Sequence, residues 1–332
     1  MAKENKFDEA DLTMALHSRA FTIIVTFFAV IAAVAVANIA SIAPFAENCG
    51  IAFNAVGSFI TDHDTSLTIN LILTVGIALF LVFANSKVSI VKGFSFLFAA
   101  IYMIATVAIP SAACYFYGGT TLCLTTILAA VLLITTFQKP KNTREVFLAF
   151  FLLSLGACFH WGQLVIAGIF LVGCGQMMIF RPATIIAAIF GLVTPLWILL
   201  GFGIVDLGDL TIPVSANTLP ADNAEHLSYV LSFAAYSGFL AVIFGILNVL
   251  KVLSADTRTR SVNGFFFLLT LTVVILAAAD YRNLPVYIPL INCCAAIQTG
   301  QFFAMNISRR SYIPIIIICL IYIGFFAWGI RI

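Results

Sequence analysis

The chain has 332 residues, 62% of them hydrophobic and only 9% charged, with 16 basic and 14 acidic side chains, a net charge of +2 and a mean hydropathy of +1.12. So few charges cannot keep a globule of this size in water, which excludes a soluble enzyme, and the near-neutral balance leaves no electrostatic footprint for nucleic acid. The composition predicts an all-α, polytopic transmembrane helical bundle that forms one integral membrane domain over residues 1–332, with the lipid bilayer as its first partner.

Residues 1–19 interleave Lys3, Lys6 and Arg19 with Glu4, Asp8, Glu9 and Asp11. That mixture, with no small-residue cleavage site after the apolar stretch, reads as a cytoplasmic segment and not as a signal peptide. Cutting the rest at charge and Pro/Gly clusters leaves eleven apolar segments, roughly 20–45, 67–85, 92–109, 119–138, 145–159, 163–180, 183–204, 227–250, 263–280, 285–306 and 312–330. The fifth and sixth together would make about 54 Å of helix, too long for one crossing, and only His160, Trp161, Gly162 and Gln163 separate them.

Charge resolves that pair into a tight hairpin. With the N-terminus inside, 14 of the 16 basic residues fall on inner segments and only Arg282 and Arg331 on outer ones, which requires an even number of crossings between Lys141 and Arg181. Eleven spans then put the C-terminus outside. The outer side is acidic and collects Tyr115, Tyr117, Trp161, Tyr229, Tyr281, Tyr287 and Trp328 as an interfacial aromatic belt.

Two outer loops, 46–66 and 205–226, are longer than turns and are the places to look for a site. Within the first, GIAFNAVGSFIT (50–61) has apolar residues at helical spacing and predicts a short helix lying on the membrane surface. The eight cysteines lack CxxC or Cys/His spacing and read as small core residues, with a Cys49–Cys114 disulfide as the alternative at the outer face. No metal site is expected, and the sequence implies no particular cofactor.

The candidate catalytic residues are Glu47, Asp62 and Asp64 in the first outer loop. Clustered carboxylates can hold a divalent cation against a phosphate leaving group, or one of them can act as a general base toward a sugar hydroxyl. A solvated loop, or an N-cap at Asp62, is the competing reading. His160 and Trp161 at the hairpin tip, with Arg282 beside Asp280 and Tyr281, are the candidate substrate-binding residues. An interfacial histidine bonded to backbone and a local Asp280–Arg282 ion pair are the plain alternatives. Inside the spans the main polar groups are amides, Asn38, Asn70, Gln176, Asn248, Asn292, Gln298 and Gln301, which read as interhelical hydrogen-bonding groups or as the lining of a transport path.

The succession TTFQKPKNTREVF (135–147), LLSLGACFHWGQLVIAGIFLVG (152–173) and IFRPATIIAAIFGLVTPLWILLGF (179–202) resembles an uncharacterised family of polytopic inner-membrane proteins common in the Bacteroidota, over roughly residues 68–205. That resemblance implies a Gram-negative inner (cytoplasmic) membrane location in the cell envelope and no assigned activity. The layout of an acid after the first span (Glu47), a surface helix, a D-x-D-like pair (Asp62, Asp64) and a helical hairpin is also similar to that of the GT-C glycosyltransferases. It implies binding or transfer of a polyprenyl-phosphate-linked sugar at the outer face. A non-catalytic membrane scaffold or accessory subunit and a transporter of an apolar or lipid-like solute are the alternatives.

Overall fold

The computed structural model describes residues 12–39, 51–53, 60, 62–91, 95–206, 208, 224–306 and 310–332. Among these, regular structure is entirely helical. After a helical stretch at 12–16, the helices are α1 (Arg19–Ile39), α2 (His63–Val88), α3 (Leu97–Val107), α4 (Pro110–Cys114), α5 (Gly118–Thr135), α6 (Thr143–Phe159), α7 (Gly162–Gln176), α8 (Pro182–Gly201), α9 (Ala224–Val252), α10 (Thr257–Ala279), α11 (Leu284–Met305) and α12 (Tyr312–Gly329), with a 3-10 turn at Tyr281–Asn283 before α11.

Each of the eleven apolar segments falls on one of these helices. Among the described residues, eight helices are long and apolar enough to cross a membrane: α1, α2, α5, α8, α9, α10, α11 with its preceding turn, and α12. The apolar helices α3 and α7 are shorter, at 11 and 15 residues, and α6 has 17. The protein is a multi-pass membrane protein on this architecture.

Local chemistry sets several helix ends. Asp62 caps α2 by accepting the Thr65 amide at 2.9 Å, and Ser89 ends the helix in the left-handed region (φ 53°). Asp256 caps α10 in the same way through the Thr259 amide at 3.2 Å. Proline at the start of α4 and α8 costs no hydrogen bond, because a first-turn N–H has no partner within its own helix. Asn70 of α2 donates to the carbonyls of Ala112 and Ala113, at 2.8 Å each, and so satisfies α4, a helix too short to do this itself.

Burial orders the bundle. The α11 span is 83% buried, against 17% for α1 and α12, and it packs on α3, α5, α9 and α10. Helix α3 is buried on nearly all sides and sits between α11, α1 and α2. Two glycines permit close crossings. A Cβ at Gly300 of α11 would lie 2.5 Å from Phe98 Cβ on α3, and one at Gly191 of α8 would lie 2.5 Å from the Phe147 carbonyl on α6. Small residues of this kind let helices approach where apolar surface alone gives no drive to associate in lipid.

Most amides within the spans tie helices together. Asn248 of α9 bonds Gln298 of α11, and Asn292 of α11 donates to Ala105 O of α3 at 3.1 Å. Asn38 instead turns back to the Val34 carbonyl on its own helix, and Gln301 bonds the Met305 sulfur one turn along its own. Three residues read from sequence as part of an interfacial aromatic belt are instead inside the protein: Tyr117, Tyr229 and Tyr287 are buried, and the Tyr229 hydroxyl donates to Ala108 O at 2.6 Å. The thiol of Cys114 points to the Ala33 carbonyl at 3.7 Å, while Cys49 lies outside the described residues.

Candidate functional site

The hairpin between α6 and α7 turns in two residues. His160 leaves α6 in an extended conformation, its amide still donating to Gly156 O at 2.9 Å, and Gly162 opens α7. Glycine is needed there because a Cβ at position 162 would lie 2.6 Å from the Tyr287 hydroxyl. The hairpin tip therefore docks directly on the first turns of α11, and the His160 ring meets the Tyr287 ring edge-on, with centroids 5.2 Å apart.

Tyr287 in turn holds a carboxylate. Its hydroxyl donates to Asp280 Oδ2 at 2.9 Å, and Asn283 Nδ2 donates to both oxygens of Asp280 at 2.8 and 2.9 Å. Asp280 closes α10, where the negative end of the helix dipole opposes a carboxylate, and it is only 9% exposed. The three donor contacts supply what water and the dipole do not.

His160 is 1% exposed, and burial pushes its pKa down to about 4. Its Nδ1 accepts the Gly162 N–H at 3.2 Å, so in the neutral ring the proton sits on Nε2. That Nε2–H is buried with no hydrogen-bond partner among the described residues, and the same holds for the adjacent Trp161 indole N–H. Gln163 donates to Thr125 Oγ1 at 3.1 Å and Thr126 Oγ1 at 2.9 Å on α5, while its own Oε1 has no partner among the described residues. One turn of chain thus presents two buried donors and one buried acceptor that are unmatched. Such groups cost free energy unless a ligand, water or another segment meets them.

The segment between α1 and α2 reaches the same hairpin. The Ile51 amide donates to Ala157 O at 3.2 Å, the Ala52 and Phe53 amides donate to Cys158 O at 3.3 and 3.1 Å, and the Phe53 ring stacks on Phe159. Residues 51–53 therefore satisfy the last carbonyls of α6. The described parts of the predicted surface helix, residues 51–53 and 60, are not helical, and the rest of it, with Glu47, lies outside the described residues.

Asp62 and Asp64 are exposed. Asp62 Oδ2 accepts both the amide and the hydroxyl of Thr65, and these two bonds hold its carboxyl below the usual range. Asp64 lies in the first turn of α2, where an acidic side chain favours the helix dipole. His63, between them, packs edge-on against Tyr115 with centroids 5.0 Å apart. Arg282 is exposed in the 3-10 turn, its guanidinium 5.9 Å from the Tyr281 ring centroid. No group of three or more His, Cys, Asp or Glu side chains placed to hold a metal ion occurs among the described residues.

No family model, curated protein or solved structure matches the chain. The site's chemistry rests on its own residues. His160, Trp161 and the neighbourhood of Arg282 are brought together through Asp280 and Tyr287. Asn283, Thr125 and Thr126 were not singled out from the sequence, and Tyr287 and Gln163 were read there only as a belt residue and part of a helix break. For two of them a signal existed, since Asp280, Asn283 and Tyr287 fall at i, i+3 and i+7, one face of a helical run.

Proposed function

We propose that this multi-pass membrane protein crosses a bacterial inner membrane eleven times, N-terminus inside and C-terminus outside, and binds the polar head of a polyprenyl-phosphate-linked sugar at its outer end. One observation carries the reading: the buried, unmatched N–H donors of His160 and Trp161, joined through Tyr287 to the buried Asp280 carboxylate. Neutral donors beside a carboxylate suit a sugar, whose hydroxyls both accept and donate. Arg282, two residues from Asp280, supplies positive charge for the phosphate.

In this reading His160 and Trp161 donate to ligand oxygens, and Asp280, positioned by Asn283 and Tyr287, accepts a hydrogen bond from a ligand hydroxyl. Glu47 is the general base or cation ligand for transfer. Asp62 and Asp64 contribute to donor or metal binding, Asp62 through Oδ1 because Oδ2 is engaged with Thr65. A non-catalytic accessory role is the second reading, favoured by the solvent exposure and capping role of Asp62.

The test titrates a short-chain polyprenyl-phosphate-linked hexose into the purified full-length protein while tryptophan fluorescence is followed. A saturable change that disappears in Trp161→Phe and weakens about tenfold in His160→Gln supports the site. A signal unaffected by Trp161→Phe, or no saturable signal at all, overturns it. Sugar transfer to an acceptor that is lost in Glu47→Gln while binding persists separates the enzyme from the accessory protein.

A further inference from the structure

The opposite end of the bundle carries a second feature that the outer site does not use. Helices α1 and α2 both pack on α3 but touch each other little, and between them runs an open cavity of ≈ 720 Å³. Its walls are apolar, formed by Ile23 of α1 with Leu79, Val82 and Phe83 of α2, and from Leu79 to Ser89 it extends about 15 Å along α2. Ile23, Leu79 and Phe83 remain 68%, 64% and 58% exposed, so the groove opens sideways, toward lipid and not toward water.

One end of the groove is polar and basic. Arg19, Ser86, Ser89 and Ser95 line it there. The Arg19 guanidinium is held over the Phe96 ring at 5.1 Å, and the Lys87 ammonium over the Phe83 ring at 5.9 Å, so both cations rest on aromatic rings of the groove wall. A third, Arg258 of α10, reaches the end of α2 and donates to Val88 O at 3.4 Å. An apolar channel open to the bilayer, ending in fixed cations and hydroxyls, has the polarity of a phospholipid with its charge reversed at the headgroup end.

We propose that this groove binds one anionic phospholipid from the leaflet on the basic side, with an acyl chain along Leu79 and Phe83 and the phosphate at Arg19 and the serine hydroxyls. Arginine suits this position because its planar fork can hold two phosphate oxygens at once. The volume lies within the usual range for a site holding a small amphiphile or a large part of one. A cluster of inner basic residues that only sets topology needs no groove beside it.

The experiment is native mass spectrometry of the full-length protein in neutral detergent, with phosphatidylglycerol or phosphatidylcholine added at equal concentration. Wild type retains phosphatidylglycerol in preference to phosphatidylcholine. Arg19→Gln lowers phosphatidylglycerol occupancy about tenfold and phosphatidylcholine occupancy less, because both lipids carry the phosphate but only phosphatidylglycerol is a net anion, so the preference narrows. Leu79→Trp, at an exposed position, fills the channel without touching charge and lowers retention of both lipids. Lys139→Gln, in a basic loop away from the groove, changes neither. Equal retention of the two lipids by wild type, an unchanged preference in Arg19→Gln, undiminished retention in Leu79→Trp, or an equal loss in Lys139→Gln overturns the proposal.

Discussion

Asn248 of α9 donates through one amide nitrogen to both the backbone carbonyl and the side-chain Oε1 of Gln298 on α11, each at 2.8 Å. The pair ties the most buried of the eight membrane-crossing candidates to a neighbour through groups that lipid cannot satisfy. Asn248→Leu should therefore lower stability in detergent by about 1 kcal/mol, the usual size of such interhelical bonds. A thermal melt unchanged from wild type would show that the amide pair finds equivalent partners once separated.

Close helix crossings predict a contrast between two alanine substitutions. Gly300→Ala pushes a methyl against Phe98 Cβ and the α3 backbone and should cost about 2 kcal/mol, as overpacking commonly does. Gly324→Ala in α12 meets nothing within 4 Å, so the helix-propensity gain should leave stability equal or slightly higher. Melting both variants side by side checks the packing of α3 on α11 directly.

Removal of the Tyr287 hydroxyl leaves Asp280 with Asn283 alone. Tyr287→Phe should cost about 1–3 kcal/mol, the penalty for depriving a buried polar group of a partner. Asp280→Asn is expected to be destabilising too, because the Asn283 amide would then face another amide in place of a carboxylate. If the two variants melt like wild type, the cluster is solvated and the geometry at the hairpin tip is not what orders it.

His160 gives the protein an acid-side weakness. Its folded-state pKa, about 4, lies below the ordinary 6.5, so between these values the unfolded chain binds more protons than the folded one. Stability from the buried neutral ring is thus fully present above pH 6.5 and lost as pH falls toward 4, by about 3 kcal/mol in all. His17 is also held below its usual pKa by burial and acts in the same direction. Melts between pH 7.5 and 5 should show a decline that is shallower in His160→Gln and not abolished, since His17 remains.

The architecture was legible because membrane helices announce themselves. Apolar runs such as 227–250 and 312–330, broken by Lys251 and Arg310, leave little room for another reading. Even the 145–180 hairpin was recoverable from charge. The short α4 was hidden within a nine-residue stretch read as loop, and its carbonyls are met by Asn70 of α2 from 42 residues away. The site was half legible. His160 and Trp161 stand out as polar residues at a hairpin tip, but Tyr287 looks like any belt tyrosine until α11 is known to be largely enclosed. Asp62 shows the opposite problem, because a D-x-D pair and a helix N-cap are written with the same letters.

Helix α11 is the least apolar of the eight membrane-crossing candidates, and it is also the most enclosed. Left to partition alone, a segment carrying Asn292, Gln298, Gln301 and two prolines would enter hydrocarbon reluctantly. Its main partners, α3, α5, α9 and α10, all precede it in the chain, so during synthesis the socket is made before the plug emerges from the ribosome. The order of the genetic message thus solves an insertion problem that the segment's own hydrophobicity leaves open.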